Sequence, residues 1–172
     1  GLLGFWTFFS DRADTITVRE GVEAYLKEKK ENAVFVKGAS LPVLGSDWTG
    51  KVLDINEAIL AAKEADKVVL LLGECEDAMG EGASKMNTRI PAAQKELFDE
   101  ITKVNNNCVL VVFSGRPFVL TEEESKVKAI LEAWMPGTDG GPALANVLYG
   151  EVSPSGKLSM SFPWDEGQLP YN

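Results

Sequence analysis

The sequence contains no histidine, only two cysteines and an excess of acidic over basic residues, and each shortage excludes a class of protein. Without histidine, catalytic arrangements that pair serine or cysteine with an imidazole are excluded, and so are most zinc and iron sites. Two cysteines are too few for the disulfide framework of a small secreted domain. With 17 basic and 26 acidic side chains the net charge is −9, which argues against a nucleic-acid partner. No apolar run reaches the roughly 18–20 residues that a membrane-spanning helix needs.

What remains is the composition of an ordinary folded domain. The chain has 172 residues, of which 45% are hydrophobic and 25% charged, and a chain of this length can bury a sizeable core. We therefore expect a single domain over residues 1–172. Any catalysis must use carboxylates, lysine, serine, tyrosine or backbone groups, because no imidazole is present.

Short β-rich runs alternate with amphipathic runs along the chain. Strands are predicted at residues 33–36, 68–72, 109–113 and 129–134. Helices are predicted at residues 18–26, 55–65, 91–104, 117–126 and 142–149, and the alternating stretch at 158–162 is compatible with an edge strand. Residues 68–72 are continuously apolar, as a strand buried on both faces requires. This order predicts an α/β sandwich, with a mostly parallel sheet flanked by helices on both faces.

Two capping boxes mark where helices begin. Thr17 stands three residues before Glu20, and Asp54 stands three residues before Glu57. In this spacing the first side chain accepts a hydrogen bond from a free helical amide, and the second reaches back to the first residue.

The two cysteines are predicted to be free thiols. Cys75 follows one predicted strand and Cys108 begins the next. In parallel neighbours these points lie at opposite ends of the sheet, beyond the roughly 7 Å Cα separation that a disulfide can bridge.

Three loops leave the carboxyl ends of the predicted strands, which is where open α/β sheets bind ligands. They are residues 73–90, 114–117 and 134–141. The first is the longest, and loops of its length are usually functional or disordered. Its four acidic residues are Glu74, Glu76, Asp77 and Glu81. From the residues alone, they fit either catalytic carboxylates or a solvated acidic loop.

Two other features of these loops are less specific. Gly140-Gly141 before a helix fits an anion-binding helix start, but no GxGxxG or GxxxxGK[ST] pattern follows a strand, so a tight turn for close packing of a strand on a helix is favoured. Ser114 has no histidine to activate it and no GxSxG around it, which excludes an α/β-hydrolase.

Three segments carry a more specific pattern. They are Met79-Gly80-Glu81-Gly82-Ala83-Ser84-Lys85 with Ile90-Pro91-Ala92-Ala93-Gln94, then Val109-Leu110-Val111-Val112-Phe113-Ser114-Gly115-Arg116-Pro117, and Ala133-Trp134-Met135-Pro136-Gly137-Thr138-Asp139-Gly140-Gly141, continued by Pro154-Ser155-Gly156-Lys157-Leu158. In this order and spacing they resemble the C-terminal α/β domain of glycoside hydrolase family 3, the β-glucosidase type. The likeness extends over essentially the whole chain.

The resemblance implies part of a retaining exo-β-glycosidase that hydrolyses terminal β-D-glucosyl residues. In such enzymes an N-terminal barrel carries the nucleophilic aspartate, and in many members the α/β domain supplies the acid/base glutamate from a loop over the site. The matching residue here is Glu81, which would protonate the leaving oxygen and then deprotonate the attacking water. Glu74, Glu76 and Asp77 remain alternatives for this role. The resemblance implies no cofactor and no metal.

Some positions depart from the family pattern or only mimic it. Relatives commonly have arginine where Lys85 stands and an acid where Asn87 stands. Arg116 and Asp139 resemble residues that shape the edge of the domain. Ser46-Asp47-Trp48 resembles the run that carries the family nucleophile, but that run ends a barrel strand and this one lies in a predicted loop. Asp47 is therefore not assigned that role.

The resemblance also implies that residues 1–172 are a fragment of a two- or three-domain hydrolase. We expect the barrel and the first strand of the sheet to precede residue 1, and the separate chain to be inactive. The expected partners are a β-glucoside or oligosaccharide substrate and the barrel of the same polypeptide, with no nucleic acid and no membrane. A homodimer stays open, and a cytoplasmic location is slightly favoured over secretion.

Two other functions remain open. A non-catalytic domain would only pack on a barrel and shape its mouth. A loop shorter than 73–90, without a protruding carboxylate, would favour this alternative. A free-standing flavodoxin-like binding module would need a phosphate-binding loop after its first strand, and none is present.

Overall fold

The sheet is parallel throughout the part of the chain that the computed structural model describes, residues 2–9, 11–41 and 50–169. Its three strands are β1 (Val68–Gly73), β2 (Cys108–Phe113) and β3 (Ala129–Glu132), in the order β1-β2-β3. Val68 is opposite Cys108, and Val109 is opposite Ala129. The predicted strands at residues 68–72, 109–113 and 129–134 are confirmed, with small changes at their ends.

Five α-helices accompany the sheet within the same ranges. They are α1 (Val18–Lys29), α2 (Ile55–Glu64), α3 (Ala92–Val104), α4 (Thr121–Glu124) and α5 (Gly140–Leu148). The helix predicted at 117–126 is shorter in the structure, where it corresponds to α4. Phe118 and Val119 are buried ahead of α4, and the Val119 amide donates to the Thr88 carbonyl at 3.0 Å, so these residues are not helical. No helix of the described ranges is long and apolar enough to cross a membrane.

The helices cover both faces of the sheet, as the sequence predicts. On one face α2 and α3 pack on Leu70, Leu110 and Val112. On the other face α1 and α5 pack on Val111 and Phe113. The alternation of side chains along β2 therefore divides the core into two apolar layers, and the α/β sandwich is confirmed.

Local signals place the helix starts correctly. Thr17 caps α1 in a reciprocal box with Glu20, and Asp54 caps α2 by accepting from the Glu57 amide at 3.0 Å. Each cap satisfies an amide that the helix itself cannot pair.

Two glycines allow α1 and α5 to touch. A Cβ atom on Gly21 would overlap the Gly141 carbonyl, and one on Gly141 would overlap the Thr17 carbonyl. The close packing predicted at Gly140-Gly141 is thus present, but it joins α5 to α1, and the expected strand–helix contact is wrong.

Three expectations for strands differ from the structure. Residues 33–36 lie outside the sheet, because no described backbone pairs with them. Residues 158–162 form no strand: Leu158 and Met160 project into solvent, and no strand of the described ranges pairs with them. β1 is not buried on both faces: Val69 and Leu71 keep 43% and 41% of their surface exposed, because among the described residues β1 has a neighbouring strand on one side only.

Two further expectations concern single residues. Cys75 and Cys108 are both buried free thiols, as predicted. Asp47, set aside as a nucleophile, lies outside the described residues.

Candidate active site

Polar side chains from all three strands meet at the carboxyl edge of the sheet. Glu74 directly follows β1, Ser114 directly follows β2, and Glu132 is the last residue of β3. All three are largely or wholly enclosed by protein. Because they end neighbouring parallel strands, they form one polar layer beneath the loops that cover this edge.

Glu74 is the anchor of this layer. Its side chain has no exposed surface, and its charge is balanced by two cations: Lys85 Nζ lies 2.9 Å from Oε1, and Arg116 Nε lies 3.4 Å from Oε2. Two such partners compensate the burial of a carboxylate, and the loss of one of them would be costly. Glu74, one alternative for acid/base catalysis, is therefore closed off from solvent in this structure.

Arg116 also fixes the long loop directly. Its Nη2 atom donates to the carbonyl oxygens of Ala78 at 2.5 Å and of Ala83 at 3.0 Å. These two carbonyls bracket the turn at residues 79–82. The guanidinium suits this task because its donors project in fixed directions.

Glu81 lies at the tip of that turn. It is exposed, and it stands between Gly80 with φ +96° and Gly82 with φ +77°. Both angles are in the left-handed region that favours glycine, so the turn depends on this Gly-Glu-Gly order. On one side of the turn the Phe5 ring packs against Gly80, so the N-terminal segment supports the loop.

The remaining acidic residues of the loop have other surroundings. Glu76 forms an ion pair with Arg12, which belongs to a preceding short turn. Asp77 is exposed. Of the four carboxylates singled out in the sequence, Glu81 and Asp77 are thus the exposed ones, Glu76 is partly buried and Glu74 is enclosed.

Glu132 is a partly buried carboxyl group that the sequence does not single out. Burial raises its pKa to about 7, with a smaller contribution from the nearby negative charge of Glu74. A hydrogen bond from the Trp134 amide (2.9 Å) opposes this rise without cancelling it. Its Oε2 atom has no hydrogen-bond partner among the described residues.

The Ser114 hydroxyl forms hydrogen bonds within the same polar layer. Its hydroxyl donates to the Arg116 carbonyl at 2.7 Å, and its oxygen lies 3.2 Å from Oε1 of Glu132. A serine hydroxyl has one hydrogen to donate. With that hydrogen on the Arg116 carbonyl, a protonated Glu132 can donate to the serine oxygen.

The far end of the long loop is held by the C-terminal tail. Glu166 accepts from the Thr88 amide at 2.9 Å, and Arg89 lies between the carboxylates of Asp165 and Glu166 at 3.3 and 3.5 Å. Residues 73–90 are thus tied down at their start by Glu74, in the middle by Arg116 and at their end by the tail.

Two residues that the sequence places at the domain edge have supporting positions. Arg116 joins the loops after β1 and β2, as described above. Asp139 stands at the start of α5, where its carbonyl accepts from the Ala143 amide. In the described residues no group of three or more cysteine and acidic side chains is arranged to hold a metal ion.

One sequence signal could have found Glu132. It is the only acid within the predicted strand 129–134, and it falls where that strand approaches the carboxyl edge. A carboxylate that the sheet encloses needs a specific environment, and this reasoning would have joined Glu132 to Glu74 and Ser114.

Over residues 2–172 the sequence matches the description "Glycosyl hydrolase family 3 C-terminal domain". The chain belongs to glycosyl hydrolase family 3. The resemblance noted from three sequence segments is therefore confirmed over the whole described fold.

Similar proteins are much longer than this family 3 domain. It is 45% identical over 116 residues to a periplasmic beta-glucosidase of Salmonella typhimurium, covering 67% of this chain and 15% of that protein. It is 42% identical over 114 residues to a beta-xylosidase of Formosa agariphila, covering 66% of this chain and 16% of the relative. The beta-glucosidase from Listeria innocua, solved in complex with isofagomine, matches with a TM-score of 0.82 and 34% identity over 98% of this chain and 22% of its own.

Proposed function

We propose that this domain forms part of a retaining exo-β-glycosidase acting on terminal β-D-glucosyl residues, and that Glu81 is its general acid and base. The observation that carries the proposal is the presentation of Glu81. It is an exposed carboxylate at the tip of a turn that Gly80, Gly82 and Arg116 hold in shape. Such a turn can place a carboxyl group in a neighbouring cleft without reorganising the sheet below it.

The chemistry divides between two carboxylates. Glu81 protonates the glycosidic oxygen as the bond breaks, while a carboxylate outside residues 1–172, on a barrel domain, attacks the anomeric carbon. Glu81 then removes a proton from the water that releases the sugar. A carboxyl group enclosed against a second domain loses water contacts, and this loss raises a carboxyl pKa toward the range that acid catalysis needs.

The other carboxylates of the loop support the proposal by contrast. Glu74 is enclosed and ion-paired, so it serves better as an anchor than as a proton donor. Glu76 is engaged with Arg12. Asp77 is exposed like Glu81 and is therefore the matched alternative.

The test uses the complete enzyme that carries this domain. We expect Glu81→Ala to lower kcat/KM by about 10²–10⁴-fold on an alkyl β-glucoside. The loss should be much smaller on 2,4-dinitrophenyl β-glucoside, whose leaving group needs no proton. Azide should restore turnover of the Ala variant and yield β-glucosyl azide.

Asp77→Asn is the control, because it removes a neighbouring charge from the same loop. It should retain most of the activity on both substrates. A nearly normal rate of Glu81→Ala on the alkyl glucoside would overturn the assignment. Restoration of turnover by azide in an Asp77 variant, and not in Glu81→Ala, would overturn it as well.

An additional packing role is favoured by an aromatic face beside the loop. Phe5, Trp6 and Phe8 are exposed and contact one another edge-on, with ring centroids 5.3 and 5.5 Å apart. Exposed apolar patches of this kind usually meet another protein surface. We infer that the barrel packs on this face. Trp6→Gln should therefore weaken the association of the domains in the complete enzyme and leave the free energy of unfolding of the separate domain unchanged.

A further inference from the structure

The carboxylate of Glu74 receives donors from two loops at the carboxyl edge of the sheet. Its Oε1 atom accepts from Lys85 Nζ at 2.9 Å, and its Oε2 atom accepts from the Gly115 amide at 3.5 Å and from Arg116 Nε at 3.4 Å. The Glu74 amide donates to the Phe113 carbonyl at 2.8 Å. Glu74 is therefore held at both its backbone and its charged end, directly after β1.

Arg116 relates the position of Glu74 to that of the long loop. A guanidinium is planar, so a partner on Nε fixes the directions in which the two Nη atoms donate. Here Nη2 donates to the carbonyl oxygens of Ala78 at 2.5 Å and of Ala83 at 3.0 Å. Both carbonyls are thus held relative to a buried carboxylate at the end of β1.

A second contact brings the loop after β2 against the same turn. Met79 is 2% exposed, and a Cβ atom on Gly115 would lie 2.7 Å from Met79 Cβ and 2.9 Å from its Sδ. Met79 Cβ is bonded to the backbone, so it cannot give way as the far end of a side chain can. The turn therefore lies as close to the loop after β2 as a residue without a side chain allows.

Glu81 lies between these supports. Its neighbours Gly80 and Gly82 both have positive φ angles, and glycine has wide conformational freedom, so the turn does not fix its own shape. A general acid must come within about 2.6–3.2 Å of the oxygen that it protonates. A displacement of about 1 Å can slow a reaction about 10²-fold. Support from outside the turn therefore bears directly on the reaction.

We propose that Glu74 and Arg116 are positioning residues for proton transfer by Glu81. The proposal rests on the proposed function of Glu81. The Glu74 carboxylate orients the guanidinium, the guanidinium holds the carbonyls of Ala78 and Ala83, and the turn between them keeps the Glu81 carboxyl group at a constant distance from the glycosidic oxygen. Glu74 transfers no proton itself.

A positioning role predicts a defect that depends on the leaving group. Displacement of Glu81 impairs protonation of the glycosidic oxygen, which an alkyl leaving group needs and 2,4-dinitrophenolate does not. A smaller amount of folded enzyme lowers kcat/KM on both substrates by the same factor. The ratio of kcat/KM on an alkyl β-glucoside to kcat/KM on 2,4-dinitrophenyl β-glucoside therefore separates a positioning role from a merely structural one.

The experiment measures this ratio in the complete enzyme that carries the domain. Arg116→Lys keeps a cation beside Glu74 but lacks the planar set of donors, so the ratio should fall about 10–100-fold. Gly115→Ala alters no charge and displaces the turn through Met79, so the ratio should fall in the same direction. Arg12→Ala is the matched control, because it removes an exposed partner of the same loop and should change the ratio less than about twofold.

Glu74→Gln separates positioning from proton transfer. The ratio should fall in this variant as in Arg116→Lys, because the guanidinium loses the charge that orients it. Azide should yield no β-glucosyl azide, because Glu81 is still present as the base.

Four outcomes would overturn the proposal. A normal ratio in Arg116→Lys and Gly115→Ala, with a reduced ratio in Glu81→Ala, would remove the positioning roles and leave the proposed function of Glu81 intact. A normal ratio in Glu81→Ala would remove the proposed function and the positioning roles together. An equal fall of the ratio in Arg12→Ala would show that any change in the loop has this effect. Formation of β-glucosyl azide by Glu74→Gln would make Glu74 the base itself.

Discussion

The guanidinium of Arg116 lies against the fully buried carboxylate of Glu74, with 3.4 Å between Nε and Oε2, and joins the loops that follow β1 and β2. The same guanidinium holds the carbonyls on both sides of the turn that presents Glu81. One side chain thus connects the buried polar layer of the sheet edge to the exposed tip of the loop.

Replacement of Arg116 should disturb both the buried polar layer and the exposed tip of the loop. Arg116→Ala leaves Glu74 with Lys85 as its remaining cation and frees the carbonyls of Ala78 and Ala83. We expect a loss of about 3 kcal/mol in the free energy of unfolding and faster proteolysis within residues 76–85. Urea denaturation and limited proteolysis measure the two effects.

Arg12→Ala is the control for Arg116. Arg12 also pairs with a carboxylate of the loop, but its side chain is mostly exposed. Exposed ion pairs contribute little to stability, so this variant should denature nearly as the parent chain does. Equal losses in the two variants would contradict the anchoring role of Arg116.

The same substitution should lower stability at Glu74 and leave it unchanged at Glu81. Glu74→Gln removes the charge that balances Lys85 and Arg116 in a closed site, so the urea midpoint should fall clearly. Glu81→Gln alters an exposed tip, so the midpoint should not move. A marked loss of stability in the Glu81 variant would show that this residue holds the loop, against a purely catalytic assignment.

Glu132 should make stability depend on pH between about 4.5 and 7. Its pKa is raised from 4.5 to about 7 in the folded chain, so in this window the folded state holds a proton that the unfolded state has released. The free energy of unfolding therefore decreases as the pH rises through the window, by about 1–3 kcal/mol because solvent screens this partly exposed group, and levels off above it.

Urea denaturation at pH 5 and pH 8 tests the effect of Glu132. In Glu132→Gln the decrease attributed to this residue should disappear, because the amide does not titrate. The free energy of unfolding of the variant, compared with that of the parent chain, should therefore be higher at pH 8 than at pH 5. An unchanged pH profile in the variant would exclude Glu132 as the group responsible.

Gly21→Ala should separate α1 from α5. The added methyl group would overlap the Gly141 backbone, which cannot withdraw without moving the helix. We expect a loss of about 2 kcal/mol or more, as for other overpacked sites. Gly156→Ala is the matched control, since a Cβ atom there meets nothing within 4 Å. Thermal denaturation of both variants compares them, and a tolerant Gly21 would contradict the close helix contact.

Features with a local cause could be predicted from the sequence. The caps at Thr17 and Asp54 were recognisable because a cap needs only two side chains at a fixed spacing. The strands at residues 68–72 and 109–113 were recognisable from their continuous apolar runs. The position of Glu81 in the long loop followed from the family motif, and its role stays a prediction.

Features that depend on distant partners could not be predicted in this way. Residues 33–36 have the composition of a strand, but a strand exists only where another backbone pairs with it. Glu74 and Glu132 resemble many other acids in the sequence, and the way the loops fold over them decides that one is ion-paired and the other has a raised pKa.

The sequence by itself determined the order of β1, β2, β3 and the helices around them, the starts of α1 and α2, the two free thiols and the membership of a family. Each rests on composition, periodicity or a run of neighbouring residues. Only the tertiary structure decided which carboxylate is buried, which is exposed, and which edge of the sheet stays open. These properties depend on solvent access and on backbone pairing, and both are set by segments that lie far apart in the chain.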